Sequence, residues 1–231
     1  MIRKTYICLS IVFLFISLVF SQQLNIHFDL TPSIANTAKG IDEKCHQYDP
    51  SDDIWLNDYM KPHVTLYLAE FLDEYIADVV AAIRIALLGC SSSFTYATET
   101  HYASGSYLMW STEKPEAMQV LSNCIVLATS QFRDPNAEMP QWILDLPDGD
   151  EKDRKESYFN QYGSPNVFDE FYPHITLAYD DNANNISFLE EQIPQPDILT
   201  GTGCDVVVGQ VGPHGSVIKG QSLAQIHLDC Y

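Results

Sequence analysis

The sequence predicts an α+β chain with a duplicated, two-lobed fold, each lobe an antiparallel sheet with a helix packed on it and a candidate active cleft between the lobes. Three observations carry that prediction. Pro62-His63-Val64-Thr65-Leu66 reappears as Pro173-His174-Ile175-Thr176-Leu177, 111 residues later, the self-similarity that marks an internal repeat. Each copy is followed by a helical pattern and then a hairpin pattern, and Gly105-Ser106 and Gly215-Ser216 keep register with their motifs to within one residue. The chain has 231 residues, 46% hydrophobic and 19% charged, which is long and apolar enough to bury such a core.

Taken in order, residues 25–30 read as an initial strand that pairs beside the first motif strand. Residues 71–88 carry Leu72, Tyr75, Ile76, Val79, Val80, Ile83 and Leu87 at three- and four-residue spacing, an amphipathic helix with Gly89 as its stop. Residues 94–102 and 107–110 form a hairpin around Ser104-Gly105-Ser106. Residues 115–131 read as a helix with Pro115 in its first turn and Ala117, Met118, Val120, Leu121, Ile125 and Leu127 apolar. Residues 133–171 differ, because Pro135, Pro140, Pro147 and Pro165 interrupt a charged run; this is an insert with a short helix, either a lid or a solvated connector. Beyond the second motif, residues 186–193 give a shorter helix stopped by Pro194. Residues 205–211 and 216–228 then make a hairpin through Pro213-His214-Gly215. Residues 22–231 thus read as one bilobal domain.

Arg3 and Lys4 precede an apolar run over 6–20, which reads as a secretory signal at 1–21 cut before Gln22. An uncleaved anchor is the rival reading, but the run is shorter than the roughly 20 residues of a comfortable span, so no membrane attachment is expected after cleavage. The expected location is outside the cell or in an endolysosomal lumen, where disulfides persist. Cys45, Cys90, Cys124, Cys204 and Cys230 remain, enough for two bridges. Cys204 and Cys230 flank the last hairpin and are expected to pair, the others being open. Asn185-Ile186-Ser187 is a glycosylation sequon in a polar, loop-like stretch. With 31 acidic against 12 basic residues the net charge is −19, which excludes an electrostatic grip on long nucleic acid.

Side chains at i and i+2 of a strand share a face, so His63 emerges with Thr65 and His174 with Thr176. Two imidazoles can hold one neutral and one protonated ring near working pH, a general base and a general acid. The two hydroxyls suit the non-bridging oxygens of a phosphoryl group as charge builds there. A metal reading has less support: neither motif supplies a second ligand at close spacing, and Glu70 and Asp180 lie too far along the strands. Neither a metal nor a cofactor is expected. His101 and His214 occupy similar hairpin positions, as cleft rim or as exposed turn residues, while His27, His46 and His227 have no evident partner.

Two His-x-Thr motifs, one per half of a duplicated α+β chain, resemble the 2H phosphoesterase superfamily, which includes RNA 2′,3′-cyclic phosphodiesterases and 2′-5′ RNA ligase-like proteins. The resemblance runs from about residue 25 to 228 and implies that His63 and His174 are the catalytic pair, acting without metal, with Thr65 and Thr176 binding phosphate. It implies a phosphodiesterase for 2′,3′-cyclic phosphates or related small nucleotide phosphodiesters; the acidic charge suits a small nucleotide or short RNA end as partner, and a monomer is expected. Tyr67, Tyr179 and Trp142 are candidates for base stacking, with core packing the favoured reading for any one of them. The alternative is a secreted, non-catalytic binding protein for a phosphorylated ligand or protein partner.

Overall fold

Leu24, Ile26 and Phe28 alternate with Asn25 and His27, and in strand β1 (Ser21–Asp29) all five are buried. One face therefore enters an apolar core and the other buries polar groups, which a strand between a core and a cleft requires. The computed structural model describes residues 20–57, 59–90 and 93–228. The expected signal lies outside the described residues except for its last two. Ser21 already belongs to β1, where its hydroxyl donates to Glu70. No helix among the described residues is long and apolar enough to cross a membrane.

After β1 come α1 (Pro32–Tyr48), β2 (His63–Leu72) and α2 (Ile76–Cys90). Then follow β3 (Phe94–Ser104), β4 (Tyr107–Thr112), α3 (Glu116–Thr129), α4 (Gln141–Leu144) and α5 (Asp150–Tyr162). The chain ends with β5 (His174–Tyr179), α6 (Ala183–Gln192), β6 (Thr200–Gly203), β7 (Asp205–Val211) and β8 (Val217–His227). Two differences from the expected boundaries stand out. Phe71 and Leu72 continue β2, and the helix starts only after a 3-10 turn at Asp73–Tyr75, with Gly89 inside its last turn. The sequon is in α6 rather than a loop, and the Asn185 amide donates to Asp180 Oδ2 at 3.0 Å.

The strands make two four-stranded sheets, β2-β1-β7-β8 and β5-β4-β3-β6, with every pairing antiparallel. The two-lobed α+β architecture is as expected, with β1 beside β2. A repeat unit does not make a lobe, however. The first motif strand reaches the hairpin of the second unit, β7-β8, through β1, and the second motif strand pairs directly with the hairpin of the first, β3-β4. The motif strands β2 and β5 are both sheet edges, and they meet where the lobes meet.

Helices close the outer faces. α3 packs on β2 and α2 on α3, the two helices being tied by the Cys90–Cys124 disulfide; α1 packs on β5, and α6 on β3 and β4. Cys45 is free and buried, and burial pushes its thiol far up. Cys204 is disulfide-bonded, while Cys230, its expected partner, lies outside the described residues. The insert packs along the far end of β2: Arg133 bridges to Phe71, and Asp134 N–H donates to the Glu70 carbonyl at 2.8 Å. The Tyr67 hydroxyl donates to the Tyr162 carbonyl at the end of α5.

Candidate active site

Both motif strands carry the same irregularity. His27 pairs with Thr65 and Ile26 with Tyr67, so Leu66 is an extra residue in β2; Met109 pairs with Thr176 and Leu108 with Ala178, so Leu177 is extra in β5. Each is a β-bulge, which re-aims the side chains on either side of it. Before the bulge, His63 and Thr65 share one face, both in reach of the Asn25 amide, and His174 and Thr176 alternate in the same way on β5. After it, Tyr67 turns into the core beside Ile26, at 1% exposure, edge-on to Phe71. Tyr67 is therefore a core residue and not a base-stacking one. Trp142 lies on the insert with Lys155 5.7 Å from its ring, and Tyr179 stacks on His214 at 3.5 Å.

The two imidazoles are held alike. His63 Nδ1–H donates to the Lys61 carbonyl and His174 Nδ1–H to the Tyr172 carbonyl, each at 2.8 Å. A carbonyl only accepts, so in each neutral ring the proton sits on Nδ1 and Nε2 keeps its lone pair. Burial lowers both rings from the ordinary value near 6.5, His63 to about 4. The Lys61 carbonyl partly offsets this for His63, and nearby His174 lowers it further. The rings are thus close enough for a charge on one to disfavour a charge on the other.

Their surroundings differ. Asn25, fully buried on β1, sends its amide nitrogen to His63 Nε2 at 3.2 Å, Thr65 Oγ1 at 2.9 Å and the Gly215 carbonyl at 3.1 Å. Gly215 can only accept here, which fixes the amide with its nitrogen inward. Two hydrogens serve three acceptors, and the longest contact, to His63, is the one most readily given up. Gly215 reaches this position through a turn with φ +76°, a conformation that favours glycine. Since Thr65 accepts from Asn25, its own hydroxyl hydrogen is free to donate into the cleft.

A third histidine backs the site. His27 donates Nδ1–H to the Asn25 carbonyl at 3.1 Å and stands edge-on to His63 at 5.0 Å, and burial keeps it well below the ordinary imidazole range. The two motifs do not reveal Asn25 and His27, which belong to a strand outside the repeat; their signal in the sequence is two polar residues alternating with Leu24, Ile26 and Phe28. His101 is neither rim nor exposed turn: at 2% exposure its Nε2–H donates to the Ile193 carbonyl at 2.9 Å. His214 stands 3.3 Å from Asp53, and the exposed His227 3.0 Å from Asp205. Next to Pro173 opens a cavity of about 350 Å³ lined by Glu99, Tyr102, Ser111, Glu113, Lys114 and Tyr172 and by neither motif histidine. Tyr172 is 63% exposed, with the Lys114 ammonium 5.1 Å from its ring centre.

No protein-family model matches the sequence, and no curated protein matches it. Solved structures do match. TT0787 of Thermus thermophilus superposes with a TM-score of 0.56 at 16% identity, covering 89% of this chain and 97% of its own. Escherichia coli LigT complexed with ATP gives 0.56 at 14% identity over 91% of this chain and 99% of LigT, and LigT complexed with 3′-AMP gives 0.55. The chain therefore has the fold of LigT and TT0787, the architecture that its resemblance to the 2H phosphoesterases implies.

Proposed function

We propose that the chain is a phosphodiesterase that hydrolyses 2′,3′-cyclic phosphates or related small nucleotide phosphodiesters by two-histidine general acid–base catalysis, without a metal in the reaction. One observation carries this reading: each motif imidazole is pinned through Nδ1 to the carbonyl two residues earlier, beside a threonine, at the meeting edge of the two sheets. His63, the more buried ring with an amide donating to Nε2, serves as base and takes a proton from water as its oxygen attacks phosphorus. The bond from phosphorus to the leaving oxygen breaks, and His174 Nε2–H supplies that oxygen with its proton. Solvent then restores both rings. Thr65 and Thr176 donate to the non-bridging oxygens, where charge accumulates. Tyr172 offers an exposed ring for the base, and its replacement by alanine is expected to raise KM more than it lowers kcat.

The substrate class agrees with nucleotide-bound LigT, solved with ATP and with 3′-AMP. The apolar N-terminal run and the Cys90–Cys124 disulfide support a secreted or endolysosomal location; the monomer is the working unit in this reading. The test is hydrolysis of a panel of 2′,3′-cyclic and linear nucleotide phosphodiesters, with 2′- and 3′-phosphate products separated. His63→Ala and His174→Ala should each lower the rate by about 10²–10⁴-fold while the fold survives. Unchanged rates in both variants end the reading, and binding without turnover by the wild-type chain makes it a binding protein instead.

A further inference from the structure

On the far side of β5 from the cleft, α1 presents Asp42 and His46 at i and i+4, one above the other on a helix face. The loop that follows folds Asp52 beneath them. The hydrogen bonds of the three side chains are only half used. Asp42 Oδ2 accepts from Leu56 N–H at 3.1 Å, and Asp52 Oδ1 accepts from Ile54 N–H and Tyr179 N–H, both at 2.9 Å. His46 Nε2–H donates to the Ile54 carbonyl at 2.7 Å, leaving Nδ1 with a lone pair, and its ring is stacked on Trp55. What remains is Asp42 Oδ1, Asp52 Oδ2 and His46 Nδ1, all buried and without a hydrogen-bond partner. Asp42 is 1% and Asp52 2% exposed.

Buried polar atoms are paired as a rule, and a carboxylate oxygen without a donor is costly. The negative charges of Asp52 and Glu43 bear on Asp42 and those of Asp49 and Asp53 on Asp52, while His46, able to carry positive charge, stands with Nε2 3.7 Å from Asp42 Oδ1. A cation among them would satisfy all three orphaned atoms. One ligand atom from each of Asp42, His46 and Asp52 lies within 4.8 Å of those of the other two. Ligands at about 2.0–2.1 Å around a tetrahedral zinc stand roughly 3.4 Å apart, so the set closes when the His46 ring, whose Nε2 now stands 3.7 Å from Asp42 Oδ1 and donates to the Ile54 carbonyl, turns to offer a nitrogen and the side chains shift by about 1 Å.

We propose that Asp42, His46 and Asp52 form a structural site for one divalent transition-metal ion, with zinc as the cation that best fits two carboxylates and an imidazole. The hard cations calcium and magnesium prefer all-oxygen sets, which the imidazole spoils. The ion ties α1 to the loop before β2. Through Asp52 Oδ1, which accepts from Tyr179 N–H, it also braces the end of the strand that begins at His174. It touches no reacting atom, so its loss should be felt in stability rather than in the chemical step.

The experiment uses the folded chain, stripped with chelator and then titrated with zinc chloride, while calorimetry reads binding and thermal melting reads stability. One equivalent is expected to bind and to raise the melting temperature by several degrees, with calcium chloride doing neither. Asp52→Asn keeps the oxygen that accepts from Ile54 and Tyr179 and loses the charge; Asp42→Asn does the same at its position. Both should melt as cooperatively as the stripped wild-type chain and lose the zinc-dependent rise. A wild-type chain that gains no stability from zinc overturns the proposal. So does an equal gain in both variants, which would place the ion elsewhere. Because neither readout is turnover, the result is independent of the phosphodiesterase reading.

Discussion

Asn25 joins three things that sequence distance keeps apart: the ring of His63, the hydroxyl of Thr65 and the turn at Gly215. Its donation to Nε2 favours the lone pair and opposes a proton there. Replacing it with alanine should cost about 10–100-fold in kcat, in the range of a lost positioning or transition-state contact, and should raise the pKa of His63. The pH profile follows from the two rings. His63 is an active base only above about 4. His174 is an active acid only below its own lowered value, itself under 6.5. The free-enzyme profile of kcat/KM is therefore expected to be bell-shaped and centred between about pH 4 and 6.5, with the acid limb moving upward in Asn25→Ala. An optimum near pH 8 would contradict the assigned roles.

At the scale of elements, the α2–α3 pair is fastened by Cys90–Cys124 across 34 residues of sequence. A loop of that length restrains the unfolded chain by about 2–4 kcal/mol. The double variant Cys90→Ala/Cys124→Ala should lose about that much in chemical denaturation while keeping its rate on a cyclic phosphate. The motif strands, the two main hairpins and three of the helices were legible because their apolar spacing is regular and their turns are marked by glycine and proline. α1 was legible in principle, through Ile34, Ala38, Ile41 and Cys45 and Pro32 in its first turn, but its other positions are polar and drew no reading. β6 could not be read, since Thr200-Gly201-Thr202-Gly203 has no strand pattern. Its glycines are required by Tyr96 and Phe94, whose rings lie within 3 Å of where a Cβ would stand. The bulges at Leu66 and Leu177 were equally hidden, because a bulge is a property of the pairing and not of the strand. That is why the strand alternation alone leaves Tyr67, two residues beyond Thr65, open to both a stacking and a core role.

For the molecule as a whole, the burial that keeps His63 neutral has a cost in acid. Its folded pKa, about 4, lies below the unfolded value near 6.5, so the unfolded chain binds more protons between them. The stability that the neutral ring contributes is complete above about pH 6.5 and is lost as pH falls through about 4, amounting to about 3 kcal/mol. Carboxyls raised by burial titrate with the opposite sign, so denaturation midpoints of wild type and His63→Gln should be compared from pH 7 to 4.5, and the gap between them should narrow in acid. The crossed pairing of strands has a different consequence, one of assembly: the sheet that carries His63 stays open until residues 205–227 have been made. If the chain is divided between β4 and α3, neither piece should fold alone, and the two expressed together should rebuild both sheets and, with them, the site.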